Sequence, residues 1–175
     1  MKKTFLTLAL LAAISNFSFA QSTASTTAPV TVSIIKALTI SNAAGTLAFP
    51  EIIMNGTVQT QSITNANGVR FLVTGHSNRN VTVTYDASDV LNNTAYVTAN
   101  GGTAGTLTFT TNTADQTGKT TTYTGASALA SGSTLPLVNN SGIGNLNIWV
   151  GGSISCSISQ PQGDYVGTFN ISVHY

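Results

Sequence analysis

Charge is what this chain has least of. Six basic and five acidic side chains are spread over 175 residues, and two of the six, Lys2 and Lys3, sit at the extreme N-terminus. Beyond residue 20, Lys36, Arg70, Arg79 and Lys119 face Glu51, Asp86, Asp89, Asp115 and Asp164. No basic patch is available to neutralise phosphates, which excludes nucleic acid as a partner. Nor is there a cationic face for anionic lipid. Cys156 is the only cysteine, so no internal disulfide can form. Its phase with Ile154 and Ile158 reads as a small buried hydrophobe. With two histidines, His76 and His174, and no clustered acids, neither a metal site nor an acid, base and nucleophile constellation is visible. We expect no enzyme and no cofactor.

Beyond the first residues, the chain also lacks a long apolar run and a helical period. Met1-Lys2-Lys3, the mostly apolar Thr4 to Ile14 and Ser18-Phe19-Ala20 read as a signal peptide over residues 1–20, cleaved before Gln21. The residue directly after that point is Gln21 and not a cysteine, which argues against a lipid anchor. The expected location is therefore the periplasm or the cell surface, without membrane insertion after cleavage. Residues 21–175 read as one domain, with 21–34 as an N-terminal arm.

What is present is alternation. Leu146, Ile148, Val150, Ile154, Cys156 and Ile158 share one face, and Tyr165, Phe169, Ile171, Val173 and Tyr175 share another. Period two means strands with one buried side. A Pro-Gln-Gly-Asp turn between the two runs suggests a C-terminal hairpin ending on a core strand. Val69, Phe71 and Val73, the Gly75-His76-Ser77-Asn78 turn, and Val81, Val83 and Tyr85 suggest a second hairpin. Val30, Val32 and Ile34 alternate with Thr31 and Ser33, and Leu38 with Ile40 follows after a break at Lys36. Shorter strands are expected at Leu47–Phe49, Tyr96–Thr98, Leu107–Phe109 and, at an edge because of Pro136, Leu135–Val138. Residues 112–134 read as long or mobile connections, with Tyr123 and Leu129 the chief core candidates. Together these predict an all-β, antiparallel immunoglobulin-like or Greek-key sandwich. Its core should contain Val69, Phe71, Val73, Val81, Val83, Leu107, Phe109, Ile148, Val150, Ile154, Phe169, Ile171 and Val173.

Weaker motifs have plainer readings. Asp86 and Asp89 suit a turn better than a calcium loop, whose oxygen cluster is incomplete. Gly151-Gly152 precedes no helix, so it reads as a strand bulge and not as a phosphate loop. The Thr rows around Thr82 and Thr106–Thr111 lack a solenoid period and express ordinary strand preference. Trp149 falls on the outward face with Asn147 and Gly151, as a candidate ligand contact unless a loop or the N-terminal arm covers it.

Lys36-Ala37-Leu38-Thr39-Ile40, Leu47-Ala48-Phe49, Phe71-Leu72-Val73-Thr74-Gly75 with Val81–Thr84, Val150–Ile154 and Gly163–Tyr175 together resemble a bacterial family called domain of unknown function 4402. That resemblance implies secretion and β architecture, and no activity. More distantly, the chain resembles fimbrial subunits of the chaperone–usher route, incomplete sandwiches completed by strand addition from the next subunit. It departs from them in lacking a disulfide and in ending His174-Tyr175. This likeness implies a subunit interface built from Val30, Val32 and Ile34 on the donating side and Ile171, Val173 and Tyr175 on the receiving side. The partners would be further copies or a periplasmic chaperone. A secreted, non-enzymatic structural or adhesion subunit is one reading. A self-contained, monomeric binding module for a glycan or protein, using Trp149, is the other.

Overall fold

Thr, Val and Ile alternating with polar residues favour extended backbone, and in the computed structural model, which describes residues 24–175, the regular secondary structure is almost wholly strand. In chain order these are β1 (Thr39–Ala44), β2 (Gln59–Ile63), β3 (Val69–Gly75), β4 (Asn80–Tyr85), β5 (Ser88–Asn92), β6 (Thr106–Thr111) and β7 (Ala114–Gln116). Then follow β8 (Ser127–Leu129), β9 (Ser133–Pro136), β10 (Val138–Asn140), β11 (Ile143–Val150), β12 (Gly152–Cys156) and β13 (Ile171–His174). A short helix, α1 (Thr94–Asn100), replaces the strand expected at Tyr96–Thr98. Its seven residues are flanked by Asn93 and by Gly101, whose φ of 76° suits a residue without Cβ. The signal peptide expected over residues 1–20 lies outside the described residues.

All pairings are antiparallel, in three sheets, so the chain is an all-β, sandwich-like fold. The first sheet has the order β1-β3-β11-β7-β8, with β10 also on β11. The second runs β2-β12-β6-β5 and the third β13-β4-β9. Strands and compact packing occupy Ile34–Tyr175. Residues 24–33 form no strand and are exposed throughout.

Two expected hairpins are instead connections between sheets. β3 pairs with β1 and β11, and β4 pairs with β13 and β9, so the turn after Gly75 is an arch across the core. Val73 and Val81 meet as core neighbours and are not paired across a ladder. The C-terminal run breaks likewise: β12 pairs with β2 and β6, whereas β13 pairs with β4. Alternation reports which face is buried, and says nothing of which strand lies alongside. The long run from Ile143 to Cys156 also changes sheet, at Gly151. A Cβ there would collide with the Ile63 carbonyl, and its N–H is taken by Asn65 Oδ1 at 2.8 Å.

Residues 112–134 are more ordered than the sequence suggested. β7 lies beside the C-terminal end of β11, at Ile148 and Trp149, and β8 closes that edge. Leu129 is buried and Tyr123 is not. β9, carrying Pro136, is an edge strand, as a residue without an N–H requires. The segment Val30–Ile34, expected to be a strand, pairs with nothing among the described residues.

Two apolar clusters result. One holds ten buried residues, among them Val73, Val81, Leu137, Leu146 and Ile148, between the first and third sheets. The other holds only Leu107, Phe109, Ile154 and Cys156, on the inner face of the second sheet. Phe71, Ile171 and Val173 are half-buried against the first cluster, and Phe169 touches both.

Candidate functional site

Val30, Val32 and Ile34 are the most exposed large apolar side chains among the described residues, at 94%, 84% and 83% of full exposure. In extended backbone they project to one side, with Thr31 and Ser33 on the other. Leaving three aliphatic side chains in water forgoes about 1.5–3 kcal/mol apiece relative to burying them. The chain is gripped just after this segment. Tyr175 Oη donates to the Lys36 carbonyl (2.8 Å) and accepts the His76 backbone N–H (2.7 Å), and Lys36 Nζ reaches the Gly142 carbonyl (2.9 Å). Gly75 makes room for this clasp, since a Cβ there would meet Tyr175 Oη and Leu137.

The expected receiving residues are already engaged. Ile171 and Val173 pack into the chain's own first cluster, and Tyr175 closes the clasp on Lys36. Their strand, β13, pairs on one side only, with β4.

The open surface lies further along. A groove of about 1070 Å³ runs over the second cluster. Leu107, Phe109, Ile154 and Cys156 form its floor, residues 47–52 one wall, and residues 165–169 the other. Phe109 is met edge-on by Phe49 (6.0 Å between ring centres) and Phe169 (6.4 Å). Neither 47–54 nor 167–169 makes a backbone hydrogen bond to another described residue. Cys156 lies on the floor, and burial pushes its thiol pKa up, which disfavours the thiolate and slows its reactions. A groove assembled from two strand-free segments has no period-two signature; only the apolar run Leu47, Phe49, Ile52, Ile53 beside Pro50 hinted at it.

Trp149 is covered, which corrects its standing as a surface ligand contact. Its Nε1 donates to Thr117 Oγ1 at 3.0 Å, Tyr123 stands edge-on at 5.5 Å, and the Arg70 guanidinium lies 5.7 Å from its ring centre. Asn147 beside it is fully buried, accepting from Arg70 Nη1 (2.7 Å) and donating to the Gly118 carbonyl (3.0 Å). Tyr123 donates to Asp115, which pushes the phenol pKa up to about 12. The outward face of β11 is thus roofed by residues 117–123, because β7 brings that loop alongside.

The remaining polar candidates have structural roles. Asp86 accepts from Asn170 Nδ2 (2.9 Å), and Asp89 Oδ1 accepts the Val90 N–H (2.9 Å). His174 is exposed on β13 opposite Thr82. Among the described residues no three His, Cys, Asp or Glu side chains converge as metal ligands. No described helix is long and apolar enough to cross a membrane.

A family model described as a domain of unknown function (DUF4402) matches residues 11–175. The chain belongs to that family. No curated protein and no solved structure matches this DUF4402 chain. Its likeness to chaperone–usher subunits therefore rests on sequence pattern alone.

Proposed function

We propose that this DUF4402 protein is an exported, non-enzymatic structural subunit or adhesion module of the bacterial surface, in the manner of a fimbrial subunit, that assembles by strand addition. The observation that carries the reading is the exposed alternation Val30, Val32, Ile34 immediately before a clasped Lys36. An unpaired segment with one apolar face adds to another sheet by backbone hydrogen bonds and side-chain burial. The sparse charge of the surface offers little repulsion against self-association. A periplasmic chaperone would cover the apolar surface before assembly. The rival, a monomeric glycan- or protein-binding module acting through Trp149, loses its anchor because Trp149 is roofed.

The test is a denaturing gel of material sheared from the native cells, probed for this chain, boiled beside unboiled. A ladder that collapses on boiling, and that deletion of residues 21–33 removes, is the expected result. A single band near the mature mass in both lanes, or a deletion variant that polymerises normally, overturns the reading.

A further inference from the structure

We infer that the groove between residues 47–52 and 165–169 is the receiving site for residues 28–34 of a second copy of this chain, docked head to tail. This rests on the strand-addition reading and names the surface that receives the strand. Four observations point there.

The first is an incomplete core. The floor residues Leu107, Phe109, Ile154 and Cys156 are covered on one side by half-buried Phe49, Ile52, Tyr165 and Phe169, with about 1070 Å³ left between the walls. Burying apolar surface there is favourable, and nothing else among the described residues fills the space.

The second is backbone. Residues 47–52 on one wall and 167–169 on the other make no backbone hydrogen bond to a described residue, whereas Val166 pairs with Asn92, so an extended segment could bond to those free stretches.

The third is fit. The wall from Leu47 to Ile52 has six residues and the segment from Ala28 to Ile34 seven, so the two match in length, each about 20 Å at full extension. The segment offers Ala28, Val30, Val32 and Ile34 to an apolar floor, and Thr31 and Ser33 to water. It carries no charge that the apolar floor would have to desolvate.

The fourth is polarity. The arm leaves the fold at Lys36, held by Tyr175 at the far end of β13 from Phe169. The groove wall begins beyond Ala44, at the far end of β1. Donor base and receiving groove thus stand at opposite ends of both strands, about 20 Å apart. A contact between two different surfaces repeats without closing, giving a filament instead of a symmetric dimer.

Cys156, on the groove floor and alone of its kind, makes this testable in the full-length chain. Val30→Cys, Val32→Cys and Ile34→Cys step along the arm two residues at a time. Under mild oxidation at least one should give a disulfide-linked ladder that survives boiling without reductant and disappears when Cys156→Ser is added. In parallel, Phe49→Asp should abolish the unboiled ladder while circular dichroism still shows a folded β protein. An intact unboiled ladder with no cross-link from any position, together with a polymerising Phe49→Asp variant, would mean the arm is received elsewhere and would overturn the groove assignment alone. A cross-linked species that stays monomeric at every dilution would show the arm filling its own groove, which overturns the second-copy assignment. Loss of any ladder from the parent chain would instead sink strand addition itself.

Discussion

The two apolar clusters of this protein were built from the same kind of strand and finished differently. Between the first and third sheets, Val73, Val81, Val83, Leu146 and Ile148 have no exposed surface to speak of, and Phe71, Ile171 and Val173 seal the rim. Over the second sheet, four buried residues are roofed by two strand-free segments with a groove between them. The difference teaches that a sandwich can be self-sufficient in one half and unfinished in the other. The closed half supplies the stability, and the open half retains a surface whose burial is still available for association.

The sharpest way to break that comparison is a matched pair of truncations. Leu146→Ala, in the closed cluster, should cost about 2–5 kcal/mol in urea unfolding of the monomeric chain, because the cavity has no means of collapsing or filling with water. Leu107→Ala, on the groove floor, should cost less than half as much, since the space it leaves opens on the groove and water can fill it. Equal losses would mean that the two halves are equally closed.

Next in size is the junction where β11 passes from one sheet to the next. Asn65 Oδ1 accepts the Gly151 N–H, and Asn65 Nδ2 donates to the Thr113 carbonyl (2.7 Å) and to Asp115 (2.8 Å). Asn65→Ala orphans those groups and should destabilise by about 1–3 kcal/mol. A neutral result would show that water replaces the side chain and that the sheet crossing does not depend on it.

Smaller is the contrast in thiol reactivity. Cys156 should react slowly with a thiol reagent in the monomer, faster as pH rises toward its raised pKa, and several-fold more slowly again in polymer. Indifference to assembly would argue that the groove stays empty.

The smallest effect is expected at the roof of Trp149. Tyr123 is held neutral by donating to Asp115, its pKa pushed up from 10 to about 12. A raised pKa adds stability that is whole below pH 10 and is lost as pH climbs through 12. Tyr123 is more than a third exposed, so solvent screens the contact and the loss should be slight. An ultraviolet titration should show one tyrosine ionising late, and Tyr123→Phe should remove that late step.

Several parts of this architecture could be read from the residues. Val69, Val73, Val81, Val83, Ile148 and Val150 announce their burial by alternation, and Pro136 its place on an edge. The hairpins read at residues 69–85 and 146–175 were arches, since a turn signal such as Gly75–Asn78 is the same whether the chain returns alongside or across. Tyr96–Thr98 is helical against its β-preferring residues; the local mark of that helix is its end at Gly101, with φ of 76°, while the Asn93 side chain bonds Thr103, Gln162 and Gly105 instead of capping it. Trp149 faced outward in the alternation and is covered all the same, because a three-residue strand, Ala114–Gln116, brings the 117–123 loop over it. The exposed face of Val30, Val32 and Ile34 was visible in the sequence, and the groove was not.

The sequence by itself determined that this is an all-β chain without a disulfide, with scarce charge and an apolar N-terminal alternation. Composition and period are local properties, and local sterics and burial preference are enough to set them. Only the tertiary structure decided which strands pair, where the run through Gly151 changes sheet, what covers Trp149, and where the fold is left open. Those depend on contacts between residues far apart in the chain, such as Asn65 with Gly151 and Tyr175 with Lys36.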